Sequence, residues 1–256
     1  MIVDLHSHLV PAVDDGASSV DEALHALRAL AAEGVGALVT TPHLLLPCLD
    51  SPAAVARELD RHRLAFDRLA EAVAAADRTL PTLGLGQEIW APDVASLRRG
   101  LGCAGLGLGA SSYLLVEFGF DLAGDHLDVV EAVLDAGHRI VVAHPERYRY
   151  PARFDPLETA AAWRHAGALL QVNAGSLGGH YARSNPGSQV LAWRFIDRGM
   201  ADLIATDHHA SNRPVSSREA WDAVVSRAGE EVARRLMMET PGRIVRNEPV
   251  ERRAAA

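Results

Sequence analysis

Histidine, aspartate and glutamate recur in this sequence at short and regular spacings. The chain begins MIVDLHSH, in which one residue separates His6 from His8. Residues two apart on a strand point to the same side, so both imidazoles can reach one metal ion. Asp207 and His209 repeat this spacing in the stretch TDHH, where His208 between them is expected to point away. The two pairs predict a metal site built on strand ends.

Similar side chains follow every strand that the sequence predicts. The seven predicted strands are Ile2–Leu5, Gly36–Thr41, Leu83–Glu88, Tyr113–Phe118, Arg139–Ala143, Leu169–Asn173 and Asp202–Thr206. Their carboxyl ends carry, in chain order, His6 with His8, His43, Glu88, Glu117, His144, Asn173, and Asp207 with His209. In a (β/α) barrel these ends converge on one face, whereas an open doubly wound sheet uses one switch point. A side chain of this kind at every strand end favours the barrel.

The donor set indicates which ions would bind. Imidazole nitrogen and carboxylate oxygen without thiolate suit Zn, Mn or Fe, with positions left for water. With Asp15 from the first loop, the ligands are too many for one ion and predict two or three, which together can activate water and clamp a phosphoryl group. Taken singly, any of these residues could be structural. Five other histidines are expected to be surface or packing residues, namely His25, His62, His126, His138 and His165.

Helical patterns separate most of the predicted strands. Ser19 and Glu22 have capping-box spacing before an apolar stripe, and Pro52 opens a second helix after Ser51. Four more helices are predicted at Asp125–Ala136, Leu157–Ala166, Gln189–Arg198 and Ser216–Arg227. Such alternation predicts an α/β fold with a parallel sheet, as one domain over residues 1–247 followed by a flexible tail at 248–256.

Composition excludes several functions. The 256 residues carry a formal net charge of −8 and contain no lysine, which removes Schiff-base and P-loop lysine chemistry. No basic stretch indicates nucleic-acid binding, and no apolar run indicates membrane insertion or a signal peptide. We expect a cytoplasmic protein whose Cys48 and Cys103 are ordinary thiols. The sequence leaves the oligomeric state open.

Several motifs resemble those of a known family. The stretches DLHSH, VDDG and TPH look like the polymerase-and-histidinol-phosphatase (PHP) superfamily, whose fold is a distorted seven-stranded (β/α) barrel. The stretches GQEI, LVEF, HPERY, QVNAGS and TDHH resemble one branch of it, the bacterial manganese-dependent tyrosine-protein phosphatases of capsule and exopolysaccharide loci. The resemblance runs in order from residue 2 to about 247, and HPERY and QVNAGS are its most specific parts.

The resemblance implies a role for each matching residue. Metal contacts are implied at His6, His8, Asp15, His43, Glu88, Glu117, His144, Asp207 and His209. Glu117 would bridge two ions, which would be Mn, with Fe or Zn as alternatives. Arg147 and Asn173 would bind substrate, and Arg147, Asp207 and His209 would serve catalysis. A water activated by the metals would attack phosphorus in line, without a phosphocysteine intermediate.

Three functions remain open at this point. The first is a phosphotyrosine phosphatase acting on the tyrosine-rich tail of a bacterial tyrosine kinase of polysaccharide export. The second is a PHP phosphoesterase acting on a small molecule such as histidinol phosphate or a nucleotide, and the third is a non-catalytic scaffold. One departure concerns Leu44-Leu45-Leu46, where relatives carry polar or basic residues and glycine. This run predicts either a functional difference, as a different phosphoester substrate or an apolar docking surface, or a segment packed against a neighbouring helix.

Overall fold

Parallel strands connected by helices form the framework of the chain. A computed structural model describes residues 1–76 and 79–251. Its strands are β1 Ile2–Asp4, β2 Val35–Thr40, β3 His43–Leu45, β4 Thr82–Leu85, β5 Glu88–Trp90, β6 Tyr113–Glu117, β7 Arg139–Ala143, β8 Leu169–Asn173 and β9 Leu203–Ala205. They form two sheets in the orders β1-β2-β4 and β3-β5-β6-β7-β8-β9, and every ladder is parallel. The predicted parallel α/β class is confirmed.

The prediction of seven strands is wrong, because the described residues form nine: β3 lies beyond the predicted second strand, and the predicted third strand is divided. Pro42, which has no amide hydrogen to donate to a ladder, separates β2 from β3. The predicted third strand breaks between β4 and β5 at Gly86, where a Cβ atom would lie 3.2 Å from the Cα of Leu108. His43 and Glu88 therefore begin strands instead of ending them.

The first and last strands are joined just beyond their carboxyl ends. The Asp207 amide donates to the His6 carbonyl at 2.8 Å, and the His8 amide donates to the His208 carbonyl at 2.8 Å. The Asp4 carboxylate also accepts a hydrogen bond from the Thr206 amide at 3.1 Å. Residues from the two ends of the chain thus lie side by side at one end of the sheets.

Ten helices occur among residues 1–76 and 79–251. They are α1 Val20–Ala32, α2 Pro52–Ala75, α3 Val94–Gly100, α4 Leu127–Asp135, α5 Pro156–Ala166, α6 Ala174–Leu177, α7 Ser188–Asp197, α8 Ser217–Ala228, α9 Glu230–Arg234 and α10 Thr240–Val245. All six predicted helices are confirmed, with ends shifted by up to two residues. The others are too short for a helical period to show in the sequence.

The predicted caps of the first two helices are present, with one correction. The hydroxyls of Ser19 and Ser51 accept hydrogen bonds from the third residue beyond them. The Glu22 carboxylate does not complete a reciprocal capping box, because it accepts hydrogen bonds from Ser18 and Ser211 instead. It thereby connects the start of α1 to the loop after the last strand.

Both faces of the sheets are buried against apolar side chains, as expected of parallel strands. On β6, Leu114 and Val116 belong to the large core that includes helix residues, whereas Tyr113 and Leu115 belong to a second cluster. That cluster also contains Val39, Val141 and Leu203 from other strands and Leu5, which follows β1. Since apolar side chains fill the body of the fold, the polar residues collect beyond the strand ends.

The Leu44-Leu45-Leu46 run is mainly part of the core. Leu44 and Leu46 are fully buried, and only Leu45 is exposed, at 42%. Leu46 packs against α3, where a Cβ atom at Gly100 would lie 3.1 Å from its Cδ2. Of the two alternatives, the structure therefore favours packing against a helix.

The predicted tail lies partly outside the described residues, which end at 251. Before that point, the Tyr113 hydroxyl donates to the Glu248 carbonyl at 2.8 Å. No helix within the described ranges is both long and apolar enough to cross a membrane.

Candidate metal centre

Eight of the nine predicted ligands converge beyond the carboxyl ends of the strands. They form three overlapping groups in which one nitrogen or oxygen of each residue lies within 4.8 Å of the others. The groups are His8 with Asp15, His43 and His209, His6 with Glu88 and His144, and His6 with His8 and Asp207. The shared members make these groups one continuous centre.

The hydrogen bonds behind His6 and His8 fix which ring nitrogen carries the proton. The Gln171 Oε1 atom accepts the His144 amide at 3.2 Å, which identifies it as the carbonyl oxygen, and it lies 3.1 Å from His6 Nδ1. The Asp14 carboxylate lies 2.8 Å from His8 Nδ1. Both Nδ1 atoms are therefore donors, and both Nε2 atoms carry lone pairs when the rings are neutral.

Those two lone pairs face each other and two carboxylates. The Nε2 atoms of His6 and His8 are 3.3 Å apart. Glu88 Oε1 lies 3.4 Å from His6 Nε2, and Asp207 Oδ1 lies 3.2 Å from His8 Nε2. All four side chains are at most 2% exposed, so water cannot screen them. Acceptors gathered in this way need a shared positive charge, and the residues fit divalent metal ions.

The outer part of the centre opens toward solvent. Asp15 Oδ1 lies 3.3 Å from the Nε2 atoms of both His43 and His209. His43 Nδ1 is 2.8 Å from Glu88 Oε2, which links this outer group to the buried one. The Asp15 side chain is 53% exposed, so a substrate can approach from this side.

Two candidate ligands have strained backbones. His144 and Asp207 adopt φ angles of 31° and 53°, in the left-handed region that few side chains favour. His144 directly follows β7, and Asp207 lies two residues beyond the end of β9, so both stand where the chain leaves its sheet. These backbone angles aim both side chains at the centre, and such strain is concentrated at functional sites.

The electrostatics of the centre match its composition. Burial lowers the pKa of His144 to about 4, so its imidazole stays neutral, which is the form that binds metals. Despite burial, neighbouring carboxylates raise the pKa of His6 and His8, and the protonated imidazoles together with Arg147 hold the pKa of the buried Asp207 carboxyl well below its usual range. Negative charge is therefore retained at the middle of the centre. A bound metal would take the place of those two protons.

Glu117 stands apart from the three groups. Its carboxylate makes no hydrogen bond or ion pair within the described part of the chain, although only 7% of the residue is exposed. Burial, together with the neighbouring Glu88 carboxylate, raises its pKa to about 8. A nearby cation would stabilise a carboxylate that is buried in this way. The role of Glu117 as a bridge between two ions stays a prediction.

Arg147 and Asn173 both reach Asp207. Arg147 Nη1 donates to Asp207 Oδ2 at 2.6 Å, and Asn173 Nδ2 donates to the same oxygen at 2.9 Å. Asn173 Oδ1 also accepts the Gly175 amide, so the Asn173 side chain is held on both sides. Arg147 lies over the centre, as its position after β7 predicts, and it forms an ion pair there.

Sequence reasoning missed three residues around the centre. Asp14 and Gln171 orient the two N-terminal histidines, and Arg213 Nη2 lies 3.3 Å from Asp207 Oδ1. Asp14 had a sequence signal, because it adjoins Asp15 in the same motif. Gln171 and Arg213 had only their positions near Asn173 and His209.

His208 lies outside the centre, as strand alternation predicts. Its Nδ1 atom lies 3.0 Å from the Val215 carbonyl oxygen, to which a protonated Nδ1 donates, and 3.1 Å from the Val215 amide nitrogen, from which an unprotonated Nδ1 accepts. The ring thus fastens the segment after β9, whereas its neighbours on both sides contribute to the centre.

Comparison with known proteins gives a consistent result. The chain is 28% identical over 261 residues to the tyrosine-protein phosphatase YwqE of Bacillus subtilis, covering 98% of this chain and 94% of that protein. It is 24% identical to the tyrosine-protein phosphatase CpsB of Streptococcus pneumoniae, covering 95% of this chain and 98% of that one.

A solved structure agrees with the chain over nearly its full length. Crystal structures described as YwqE and CpsB, "unique metal-dependent tyrosine phosphatases", include a chain with a TM-score of 0.80 and 25% identity, covering 99% of this chain and 98% of that one. The family described as "Capsular polysaccharide synthesis, CpsB/CapC" matches residues 2–246. The chain belongs to the CpsB/CapC family.

Proposed function

We propose that this protein is a metal-dependent protein-tyrosine phosphatase that hydrolyses phosphotyrosine by attack of water. The observation that carries the proposal is the close approach of the Nε2 atoms of His6 and His8, enclosed by the Glu88 and Asp207 carboxylates. The two relatives and the solved structure described above bear the same activity in their names.

The centre holds two or three divalent ions, of which manganese is the first candidate and iron or zinc the alternatives. The ligands proposed are His6, His8, Asp15, His43, Glu88, Glu117, His144, Asp207 and His209. When bound, such ions lower the pKa of water and neutralise phosphoryl oxygens. The buried residues behind them, Asp14 and Gln171, keep the imidazoles in the orientation and tautomer that bind metal.

Arg147 binds the phosphate of the substrate. Its guanidinium fork presents two parallel N–H groups, which suit two oxygens of a phosphate monoester. Its ion pair with Asp207 Oδ2 supports this role, because it holds the guanidinium beside the proposed metal ligands. Asn173 donates a hydrogen bond to that same oxygen, and His209 also lies beside the Asp207 carboxylate. Both residues therefore contribute to the proposed site by contacting Asp207.

The substrate proposed is the phosphotyrosine-containing tail of a bacterial tyrosine kinase of capsule or exopolysaccharide synthesis. The family description supports the pathway, and the exposed Asp15 side of the centre supports access by a peptide. A cytoplasmic location fits such a partner. For the fold, we propose a distorted seven-stranded barrel in which two strands are interrupted; the hydrogen bonds between Asp207, His6 and His8 support closure between its first and last strands.

A substrate panel tests the function. Metal-loaded protein is assayed with a phosphotyrosine peptide, the matching phosphoserine peptide, histidinol phosphate and a nucleoside monophosphate. We expect the highest kcat/KM for the phosphotyrosine peptide. A preference for histidinol phosphate or the nucleotide would assign the chain to small-molecule hydrolysis instead. If no substrate is turned over, the non-catalytic scaffold is the remaining function.

A further inference from the structure

One aromatic side chain near the proposed phosphate site is exposed. Phe120 is 40% exposed, and every other phenylalanine, tyrosine and tryptophan of the chain is buried or half-buried. It follows β6 by three residues, in the sequence Glu117-Phe118-Gly119-Phe120. Its position beside the centre makes its ring available to an apolar group of a bound ligand, which would shield it from water.

The Phe120 ring is aligned with the groups that would hold phosphate. Its centroid lies 5.8 Å from the His144 ring at an interplanar angle of 17°, and 4.9 Å from Arg147 Cζ. The buried ring of Tyr181 lies 4.1 Å from the same Cζ atom. The phosphate-binding cation is thus held beside two aromatic rings, of which only Phe120 reaches the surface.

The backbone holds Phe120 in place before any ligand binds. Gly119 has a φ of 93°, and a Cβ atom there would lie 3.0 Å from Trp90 Nε1, so the position requires glycine. The Phe120 carbonyl accepts the Arg149 amide at 2.6 Å, and Arg149 pairs with Asp121. A ring fixed in this way loses little conformational entropy when a ligand packs on it.

We propose that Phe120 is a specificity-determining residue that receives the aromatic ring of the substrate. The inference rests on the proposed function, which places the phosphate between the metals and Arg147. In an aryl phosphate the ring is attached directly to the ester oxygen, so it leaves the phosphate site beside Phe120. Aromatic pairs gain free energy at centroid separations of about 4.5–7 Å, a contact that an alkyl phosphate cannot make.

The test measures binding to metal-loaded protein by calorimetry, with two phosphonates that cannot be hydrolysed. Benzylphosphonate carries the ring, with a methylene in place of the ester oxygen, and methylphosphonate carries none. In Phe120→Ala and Phe120→Leu, the Kd of benzylphosphonate should rise roughly 3- to 10-fold while that of methylphosphonate changes less than about twofold. Phe120→Tyr should retain the preference of the original protein.

Controls separate the ring contact from other effects. Phe154→Ala removes a ring that lies 4.8 Å from Arg153 Cζ, a similar pair away from the centre, and should leave both Kd values unchanged. Metal content and melting temperature are measured for each variant, because Phe120 also covers His144. Phe120→Leu keeps that apolar cover.

Two results would overturn the proposal. An equal rise of both Kd values in Phe120→Leu would show that the residue acts only through Arg147 or His144, and unchanged values would show that the ring contacts no ligand. Failure of the proposed function is a separate result, since it would appear as absent phosphotyrosine turnover in the unmodified protein.

Discussion

Two aspartates flank β9 and illustrate two ways of burying a carboxylate. Asp202, before the strand, accepts hydrogen bonds from Arg164 at 3.0 and 3.2 Å and from the Leu170 amide at 2.9 Å. Asp207, after the strand, shares one oxygen between Arg147 and Asn173 and directs the other at the lone pair of an imidazole.

The difference lies in what the chain itself supplies. At Asp202 one guanidinium compensates one carboxylate, so this end of the strand needs no ligand. At Asp207 several carboxylates and imidazoles share few protein cations, so the centre depends on ions from solution. Division into a stabilising amino end and a functional carboxyl end is typical of (β/α) barrels.

Removal of the metal ions should have the largest effect, because only the Asp207 end of β9 depends on them. Exhaustive chelation should abolish phosphatase activity, because facing acceptors lose the charge they share, and Mn²⁺ should restore it. The melting temperature should also fall, since ions that bind only the folded state stabilise it. The measurements are turnover, metal analysis and calorimetry before and after chelation. Full activity in protein shown to be metal-free would contradict the proposed centre.

Variants at two adjacent histidines provide its control. His209→Ala should lose metal and most activity, whereas His208→Ala should keep its metal because that ring bonds to the Val215 backbone. Equal metal loss in the two variants would mean that the assignment of ligands along this segment is wrong.

At the other end of β9, the expected effect is on stability alone. Arg164→Met leaves the Asp202 carboxylate buried without its partner and should lower the free energy of unfolding by about 3–5 kcal/mol. Activity per folded molecule should persist. Arg234→Met breaks an exposed pair with Glu239 and should cost under about 1 kcal/mol. Denaturant titration of metal-loaded protein distinguishes the two, and similar losses would show that burial of the pair is unimportant.

Arg147 should matter for turnover and little for folding. Arg147→Ala should keep its metals but lose on the order of 10²-fold in kcat/KM, because a fixed cation stabilises charge on the transferring phosphoryl group. Arg147→Lys should recover part of the loss, since it restores the charge without the fork. Kinetics are compared alongside melting temperature. Near-normal turnover in Arg147→Ala would reduce the residue to an ion pair with Asp207.

The smallest expected effect concerns a buried histidine whose hydrogen-bond partners are supplied by the protein itself. His62 is fully buried, with Nδ1 2.7 Å from Gln87 Oε1, and burial lowers its pKa below 6.5. Below pH 6.5 the unfolded chain binds a proton that the folded chain excludes, so stability falls as pH falls, by at most about 1.4 kcal/mol per pH unit. His62→Gln should lose less stability than the original protein between pH 7 and 5.5.

Denaturant midpoints across that pH range test the expectation. His25→Gln, at an exposed position on α1, serves as the control and should follow the original protein. Identical slopes for His62→Gln and His25→Gln would remove His62 from the acid sensitivity of the fold.

The sequence predicts the centre better than it predicts the strands that carry it. Alternation within a strand depends on neighbouring residues, so the orientation of His6 with His8, and of His208 away from them, follows from spacing. The break at Pro42 has a local cause that the sequence shows, whereas the break at Gly86 depends on its close approach to Leu108, which no local pattern encodes.

The supporting residues were missed for a similar reason. Gln171 orients His6 across a separation of 165 residues, and no periodicity connects the two. Phe120 has no sequence signal either, because its exposure depends on how the glycine before it turns the chain. Motif residues can be read one at a time, whereas the residues that orient them become visible only in the fold.

The hydrogen bonds that join residues 6–8 to residues 206–208 determine when the centre can be completed during synthesis. His6 and His8 are synthesised before the other proposed ligands, and their strand can pair early with β2, but its contacts on the other side form only when residues 206–208 have been made. Until then, no contacts between these two segments offset the entropy cost of bringing them together. A nascent chain that stops before Asp207 therefore contains most of the ligands and no complete centre, so metal capture belongs to the final stage of folding.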